Sequence, residues 1–548
     1  MLAMNEPKPR PDGAGAAAAE SSAPAAPSRP QGKRLARSTA FFSVATGLSR
    51  VVGLVREVVA ANYFGVSGAM SAFTIAFQVP NLMRALFADS ALQGAFVPVF
   101  TELLEKGERK EAFRVASSLF LLILMVLGSL TVLFILFAHQ IMWLFAPGFR
   151  DDPHLLDLTV NLSRLLFPIV LMLALTGVVV GMLNSFDHFS VPALAPAVWN
   201  GIIVAALVGL VPVLPEGKKI YAYAIGVLVG TVVQFLLPLP WLRGRGGRFT
   251  LTLVWNERVK RVLKLMLPVT IALGLINLSM LINSLFGTLV SDQVPAAIDK
   301  AFRIYQLPQG LFSIAIATIL FPTLSRFAAR GAFDDLRRTM ANGIRQVMLL
   351  LIPSAVVMAV LAHPITRLVY QRGVFGAHAT ELVSTAMVWW SISLPFQGVS
   401  LLFSRTFFSL QRPWETTLLC LANLVVNAVV AAVLHGPFGI AGIVIGTVAG
   451  TIVMCVSQGW ILRGKLHGIE GRAMVWSGAR MLIAAALLAG VCYGVWYGLD
   501  RAFGREILAQ ILSVGAAIVA GGAVYVAAVW AMGVQEIRQI RTLLPGRG

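Results

Sequence analysis

The sequence predicts an all-α, polytopic integral membrane protein, and three observations carry that expectation. The 548 residues are 57% hydrophobic and only 13% charged, whereas soluble domains hold roughly 25% charged residues. Most of the chain must therefore face lipid or other apolar helices, as its mean hydropathy of +0.79 also requires. Apolar runs of about 20 residues, the length of a spanning helix, recur about fourteen times between short connections. Lysine and arginine concentrate in alternate connections, the bias that orients helices in a bilayer.

Residues 1–35 are rich in Ala, Pro, Ser and Gly and lack an apolar core. Such a segment cannot bury enough surface to fold, so a disordered cytoplasmic tail is expected. No apolar segment precedes a cleavage site, so it is not a signal peptide. Candidate spans then run over 38–64, 69–96, 113–139, 156–184, 190–213, 220–242, 264–291, 301–325, 342–370, 380–409, 414–435, 438–462, 474–498 and 508–533. The connector 243–263 is basic and is expected to include an interfacial helix, anchored by Trp255 beside Arg258, Lys260 and Arg261. With the N-terminus inside, and with Arg114, Lys264, Arg345, Arg367 and Arg480 at span margins counted to the adjoining connections, the inner connections and tails carry 30 Lys/Arg and the outer ones 8, Lys300 among the latter. Six more arginines fall inside spans, namely Arg50, Arg56, Arg84, Arg164, Arg303 and Arg405. That balance places both termini, including the tail 536–548, in the cytoplasm.

The chain also repeats itself. Gly226, Gly230 and Thr231 of span six return as Gly442, Gly446 and Thr447, 216 residues later. Gln78 and Pro80 return as Gln306 and Pro308 after 228 residues, and Pro98 as Pro322 after 224. A shared offset predicts two six-helix lobes, 36–243 and 244–465, with a site at their interface. Spans thirteen and fourteen, 466–535, form an appended hairpin.

Several function classes are excluded. The net charge of +19 invites nucleic acid, but the basic residues sit in short membrane-flanking loops. The three cysteines, Cys420, Cys455 and Cys492, lie inside apolar runs, so neither a disulfide framework nor a metal cluster is expected. No Walker A loop, G-x-S-x-G elbow or H-E-x-x-H helix occurs. The expectation is a non-enzyme without a cofactor.

Charges inside a span mark functional sites. Arg50 and Glu57, seven residues apart, share one face of the first helix about 10 Å apart at 1.5 Å per residue. Gly53 lies between them and leaves a notch. Ser49, Gly53 and Arg56 form the adjoining stripe. Arg84 follows Pro80 by one turn, and Arg303 occupies the matching region of the second half. Four arginines against Glu57 give a cationic interior. Guanidinium groups bind phosphate oxygens bidentately and keep their charge, so a diphosphate fits. For Arg303 an interfacial role stays open, because a long side chain near a helix end reaches the headgroups. Arg164 and Arg405 read as structural, and Asp89 with Gln93 as a helix-end polar cluster.

The residues S-R-V-V-G-L-V-R-E (49–57), N-Y-F-G (62–65), V-P-N-L-M-R-A-L-F-A (79–88) and Q-G-A-F-V-P-V-F (93–100) resemble the MurJ (MviN) lipid II flippase family, of the MOP exporter superfamily. So do 181–200, 310–325 and R-T-F-F-S-L-Q-R-P (405–413). The resemblance covers about 36–533. It implies fourteen helices in two lobes around a central cationic cavity, with a lipid-tail groove on the last two. The implied cargo is lipid II, carried from the inner to the outer leaflet of the plasma membrane for cell wall synthesis. It also implies that Arg50, Arg56, Arg84 and Arg303 engage the diphosphate, with Ser49 beside the headgroup. Two departures stand out. Glu57 replaces the family's usual Asp, and the positions that carry a sodium site in some members are here Asn283, Asn423, Asn427 and Thr447, without a carboxylate. A site of neutral oxygens would hold sodium weakly; membrane potential acting on cavity charge, at about 2.3 kcal/mol per charge per 100 mV, is the other drive. The rival readings are a flippase for another polyprenyl-diphosphate glycan and a non-transporting scaffold for cell-wall enzymes. Lipid II, membrane lipid and cell-wall synthesis proteins are the expected partners.

Overall fold

The computed structural model describes the backbone of residues 29–87, 90–186, 188–244 and 257–534, and the side chains of 44–83, 96–186, 188–244, 257–264, 266 and 277–534. The described residues form helices and no strand. In chain order these are α1 (Arg29–Phe64), α2 (Gly68–Phe87), α3 (Ser90–Glu105), α4 (Arg109–Leu136), α5 (Ala138–Phe145), α6 (Pro153–Leu166), α7 (Pro168–Ser185), α8 (Ser190–Leu210) and α9 (Ile220–Leu236). After 245–256 come α10 (Glu257–Val290), α11 (Val294–Pro308), α12 (Ile314–Ala329), α13 (Phe333–Val360), α14 (Ala362–Tyr370), α15 (Ala377–Ser409), α16 (Pro413–Lys465), α17 (Gly471–Phe503) and α18 (Ile507–Ala531). Among the described residues, ten helical stretches are long and apolar enough to cross a membrane.

Local chemistry sets the breaks. Asp152 accepts a hydrogen bond from the Leu155 N–H at 3.0 Å and so caps α6, with Pro153 in the first helical position. This pairing satisfies a free donor and removes another. Pro168, which cannot donate, starts α7 directly after α6. Helix α11 is capped from outside itself: the buried Ser71 hydroxyl of α2 accepts from the Ala296 N–H at 3.1 Å. With Pro295 lacking an N–H, the start of α11 is thus pinned to α2. Between α11 and α12 the helix loosens into one π-turn, Gln309–Ser313.

Helix α16 has 53 residues. A straight helix of that length would run about 80 Å at 1.5 Å per residue, far beyond the roughly 30 Å hydrocarbon core. It folds back at Gly439, whose φ of 56° lies in the left-handed region open to glycine. The two limbs then pack antiparallel. A Cβ on Gly446 would lie 2.8 Å from the Asn427 carbonyl oxygen, so the small residue is what lets the limbs touch. The repeated glycines of α9 do the same against α8, where a Cβ on Gly226 would lie 2.8 Å from the Ala206 Cβ. The sequence repeat therefore marks two equivalent helix contacts.

The structure moves several expected boundaries. The expected span 301–325 starts at Val294, which turns an expected outer loop into helix. The expected spans 414–435 and 438–462 are the limbs of α16. Residues 257–263 of the expected connector belong to α10, while Trp255 lies outside the described residues, as do 1–28 and 535–548. Helix α1 begins at Arg29, inside the segment expected as a tail.

Contacts between the first part of the chain and the second collect at the end where α1 finishes. The Val374 N–H donates to the Asn62 carbonyl at 3.0 Å. The Gly148 N–H donates to the Thr288 hydroxyl at 3.1 Å, and no side chain fits there, because a Cβ would overlap the Thr288 carbonyl. A buried core including Phe73, Tyr223, Ile298, Tyr305 and Trp390 fills the space beneath. At the opposite end one flank is joined, by Arg258 to Glu108 at 2.7 Å and Arg261 to Glu102 at 3.2 Å, over a cluster of Phe96, Phe100, Val259 and Val262. On the other flank α1 presents exposed Leu48, Val51 and Leu54, and α12 exposed Ile314 and Ile319.

Candidate functional site

Helices α1, α2, α7, α8, α9, α10 and α11 enclose a cavity of about 650 Å³. Its charged lining is Arg56, Asp299 and Arg303, and its polar lining includes Gln78, Asn81, Gln234, Asn277 and Gln306. Gln78 and Gln306, the two halves of the sequence repeat, thus face one space from α2 and α11. Gln78 is held by its amide donating to the Ser284 hydroxyl of α10 at 2.7 Å.

At the closed end of the cavity lies a charged knot. The buried Arg56 donates through Nη2 to Glu57 Oε1 at 2.5 Å. Its guanidinium lies 5.0 Å from the Trp199 ring centre, a cation–π geometry. Trp199 is itself oriented by donating through Nε1 to the Thr231 hydroxyl at 3.1 Å. Arg303 pairs with Asp299 Oδ2 at 2.8 Å, one turn away on α11, and with Glu57 Oε2 at 3.1 Å. Lys300, with no exposed surface, donates to the same Glu57 oxygen at 2.8 Å. Three cations against two carboxylates leave one net positive charge in a low-dielectric interior. The Arg56 Nε is buried without a partner, so one guanidinium donor of the knot is unsatisfied.

The structure brings together Arg56, Glu57 and Arg303. Arg50 is exposed and lies two turns before Glu57, on the flank where α1 is bare; Ser49, beside it, is half-buried. Arg84 is in α2, but its side chain lies outside the described residues, as do Asp89 and Gln93. The notch at Gly53 is filled by Asn200 of α8, 3.6 Å from where a Cβ would stand, so that glycine serves helix packing. Glu57 is not the lone acidic group of the knot: Asp299 pairs with the same Arg303 and lines the cavity. Arg164 is exposed and donates to the Ile135 carbonyl at 3.3 Å, and Arg405 lies over the Phe321 ring.

Sequence reasoning missed Asp299 and Lys300, which it placed in an outer loop. The available signal was the four-residue spacing of Asp299 and Arg303 after Pro295, the pattern of a helix start followed by an ion pair on one face. It also missed Trp199, whose apolar setting hides its role as a cation platform.

Residues 60–513 match the family model of the lipid II flippase MurJ. The chain belongs to this family. A Burkholderia cenocepacia lipid II flippase MurJ is 30% identical over 91% of this chain and 98% of its own length. A probable lipid II flippase MurJ from Rhizobium meliloti is 28% identical over 92% of this chain and 96% of its own length. Among solved structures, a lipid II flippase MurJ in an inward closed conformation superposes with a TM-score of 0.74 at 22% identity, covering 90% of this chain and 98% of the other. An inward-facing MATE multidrug transporter of the MOP superfamily superposes at 0.65 and 15% identity, over 77% and 94%. These two share the fold.

The sodium question raised by Asn283, Asn423, Asn427 and Thr447 turns on α10 and α16. Asn283 donates to the Thr447 hydroxyl at 2.8 Å, Thr447 donates to Asn427 Oδ1 at 3.4 Å, and Asn427 donates to Asn283 Oδ1 at 3.1 Å. The ring closes on itself, and the second Asn427 proton goes to the Ser279 hydroxyl at 2.9 Å. Asn423 stands apart and donates to the Met454 sulfur at 3.7 Å. A cation needs oxygens turned inward. Here each of the three ring oxygens already accepts a hydrogen bond from within the ring, so the residues as arranged bind one another and present no set of free oxygens to a sodium ion.

Proposed function

We propose that the protein is a lipid II flippase that works by alternating access. The observation that carries this reading is the convergence of Arg56 and Arg303, from the two parts of the chain, on one polar cavity with an unpartnered buried guanidinium donor. Two guanidinium forks on one cavity suit a diphosphate, whose oxygens accept paired N–H groups. The cargo's class follows from the family and its named relatives. No covalent chemistry is needed: the arginines replace water around the diphosphate while the lobes rock.

The layout that fits is fourteen passes. Helices α2–α3, α6–α7 and α11–α12 each serve as one broken span, and α16 as two. The lobes are 36–243 and 244–465, with α17 and α18 (466–535) as the groove for the polyprenyl tail. Lysine–arginine bias sets both termini in the cytoplasm of a bacterial plasma membrane. The sealed end where α1 finishes then faces outward, and the bare flank between α1 and α12 faces the cytoplasmic half of the bilayer. A headgroup can slide in there, passing Ser49, Arg50 and Arg84 toward Arg56. Cell-wall synthesis proteins are the partners this role would bring close.

Vesicles holding the purified protein and labelled lipid II provide the test, with accessibility of the headgroup to an external reagent as the readout. Flipping of lipid II and not of a polyprenyl diphosphate bearing a different glycan is expected. Equal flipping of both would replace lipid II by the broader cargo class. No flipping of either, together with rescue of a flippase-depleted strain by an Arg303→Ala variant, would favour a scaffold.

A further inference from the structure

One cation of the knot has no part in the cavity lining. Lys300 is fully buried, and its ammonium lies 5.6 Å from the Tyr370 ring centre and 2.8 Å from Glu57 Oε2. Glu57 therefore holds three cations: Arg56 at 2.5 Å, Lys300 at 2.8 Å and Arg303 at 3.1 Å. Only Arg56 and Arg303 face the cavity. We propose that Lys300 is the resident counter-ion of Glu57, the group that lets Arg56 and Arg303 be handed to an anionic diphosphate headgroup.

The argument rests on the reading of this cavity as a diphosphate site. An arriving anion competes with Glu57 for two guanidinium groups. If those were its only partners, the transfer would leave a bare buried carboxylate, a state far more costly than the intact pair. It would also set that carboxylate beside a second anion, where like charges repel strongly at low dielectric. With Lys300 in place the transfer leaves a neutral Glu57–Lys300 pair. Asp299 needs no such guard, because it lines the cavity and can be reached by water there. Lys300 comes from α11 and Glu57 from α1, so the pair also spans the two parts of the chain. Lys300 is thus a positioning residue that acts on the headgroup through Glu57.

The test is a charge cycle on the full-length protein in detergent, with farnesyl diphosphate as the probe and calorimetric affinity as the readout. Lys300→Met is expected to weaken binding by about tenfold or more. The double variant Glu57→Gln/Lys300→Met, which removes the charge that needs a counter-ion, is expected to return to within about threefold of the parent, the coupling expected of a contacting pair. A merely structural lysine would give no such rescue. If Lys300→Met is not monodisperse, Lys300→Gln keeps a donor to Glu57 without the charge and carries the same expectation. Parental affinity in the lysine variant, or a double variant as weak as the single, overturns the proposal. Arg56→Gln and Arg303→Gln report separately on the site. If both bind the probe as the parent does, the diphosphate reading fails and this proposal falls with it.

Discussion

Two of the buried polar clusters among the described residues are built on opposite principles. The knot at Arg56, Glu57, Asp299, Lys300 and Arg303 is charged, has a cation to spare and joins α1 to α11. The ring of Asn283, Asn427 and Thr447 is neutral, closes on itself and joins α10 to the two limbs of α16. Each of the ring's three side-chain oxygens accepts from a neighbour, which rigidifies a packing and leaves little for a ligand. The knot has an unsatisfied donor and one carboxylate shared by three cations, so its pairs can be exchanged. The difference teaches where function resides: exchangeable charge lies between the two parts of the chain, and closed hydrogen bonds lie within the second.

The largest effects should come from breaking the knot at its cavity face. Arg56→Ala and Arg303→Ala each remove charge-assisted hydrogen bonds, worth about 1.5–3 kcal/mol apiece. Initial flipping rates of lipid II in vesicles should fall by about tenfold to a hundredfold for each. Arg50→Ala, on the exposed approach, should lose less than either. A parental rate in the Arg303 variant would mean that the cavity charge is structural.

A second buried ion pair sharpens the contrast because it lies away from the cavity. Arg367 of α14 pairs with Asp500 of α17, with side chains only 8% and 14% exposed. Removing one member strands the other, at about 3–5 kcal/mol. Asp500→Ala should therefore lower thermal stability in detergent clearly, while farnesyl diphosphate affinity in the folded fraction stays parental. Loss of affinity without loss of stability would tie the last helices to the headgroup site.

Much of this was legible in the sequence, and what was not has physical causes. Hydropathy and charge bias give the helices because lipid imposes a single rule on every span. Arg56, Glu57 and Arg303 stood out because a charge in an apolar run is rare. Lys300 and Asp299 did not, since they sit where a run of apolar residues begins and resemble ordinary loop charge. Only the external cap from Ser71 shows that the helix has already started there. The glycine repeat found the right residues but not their partners, because a G-x-x-x-G pattern gives a smooth face without saying what packs on it. The asparagines show the opposite problem. Their positions were evident, but whether they ligate an ion or one another depends on rotamers that no spacing encodes.

The smallest effects should come from the ring. Asn427→Ala removes two donated hydrogen bonds and leaves Asn283 and Thr447 short of a partner. Such a loss is worth about 1–3 kcal/mol of stability, with the flipping rate per folded protein unchanged. Replacing sodium with potassium at constant ionic strength should leave the parental rate where it was, because the ring's oxygens are already engaged by one another's donors. Asn427→Asp is the sharper variant. It exchanges the amide that donates to Ser279 and Asn283 for a charged oxygen, which those two oxygens can join around a cation. That variant should acquire a sodium-dependent rise in thermal stability that the parent lacks. A sodium-dependent rate in the parent would show that the ring opens during transport, and the division between exchangeable charge and fixed packing would fail at that point.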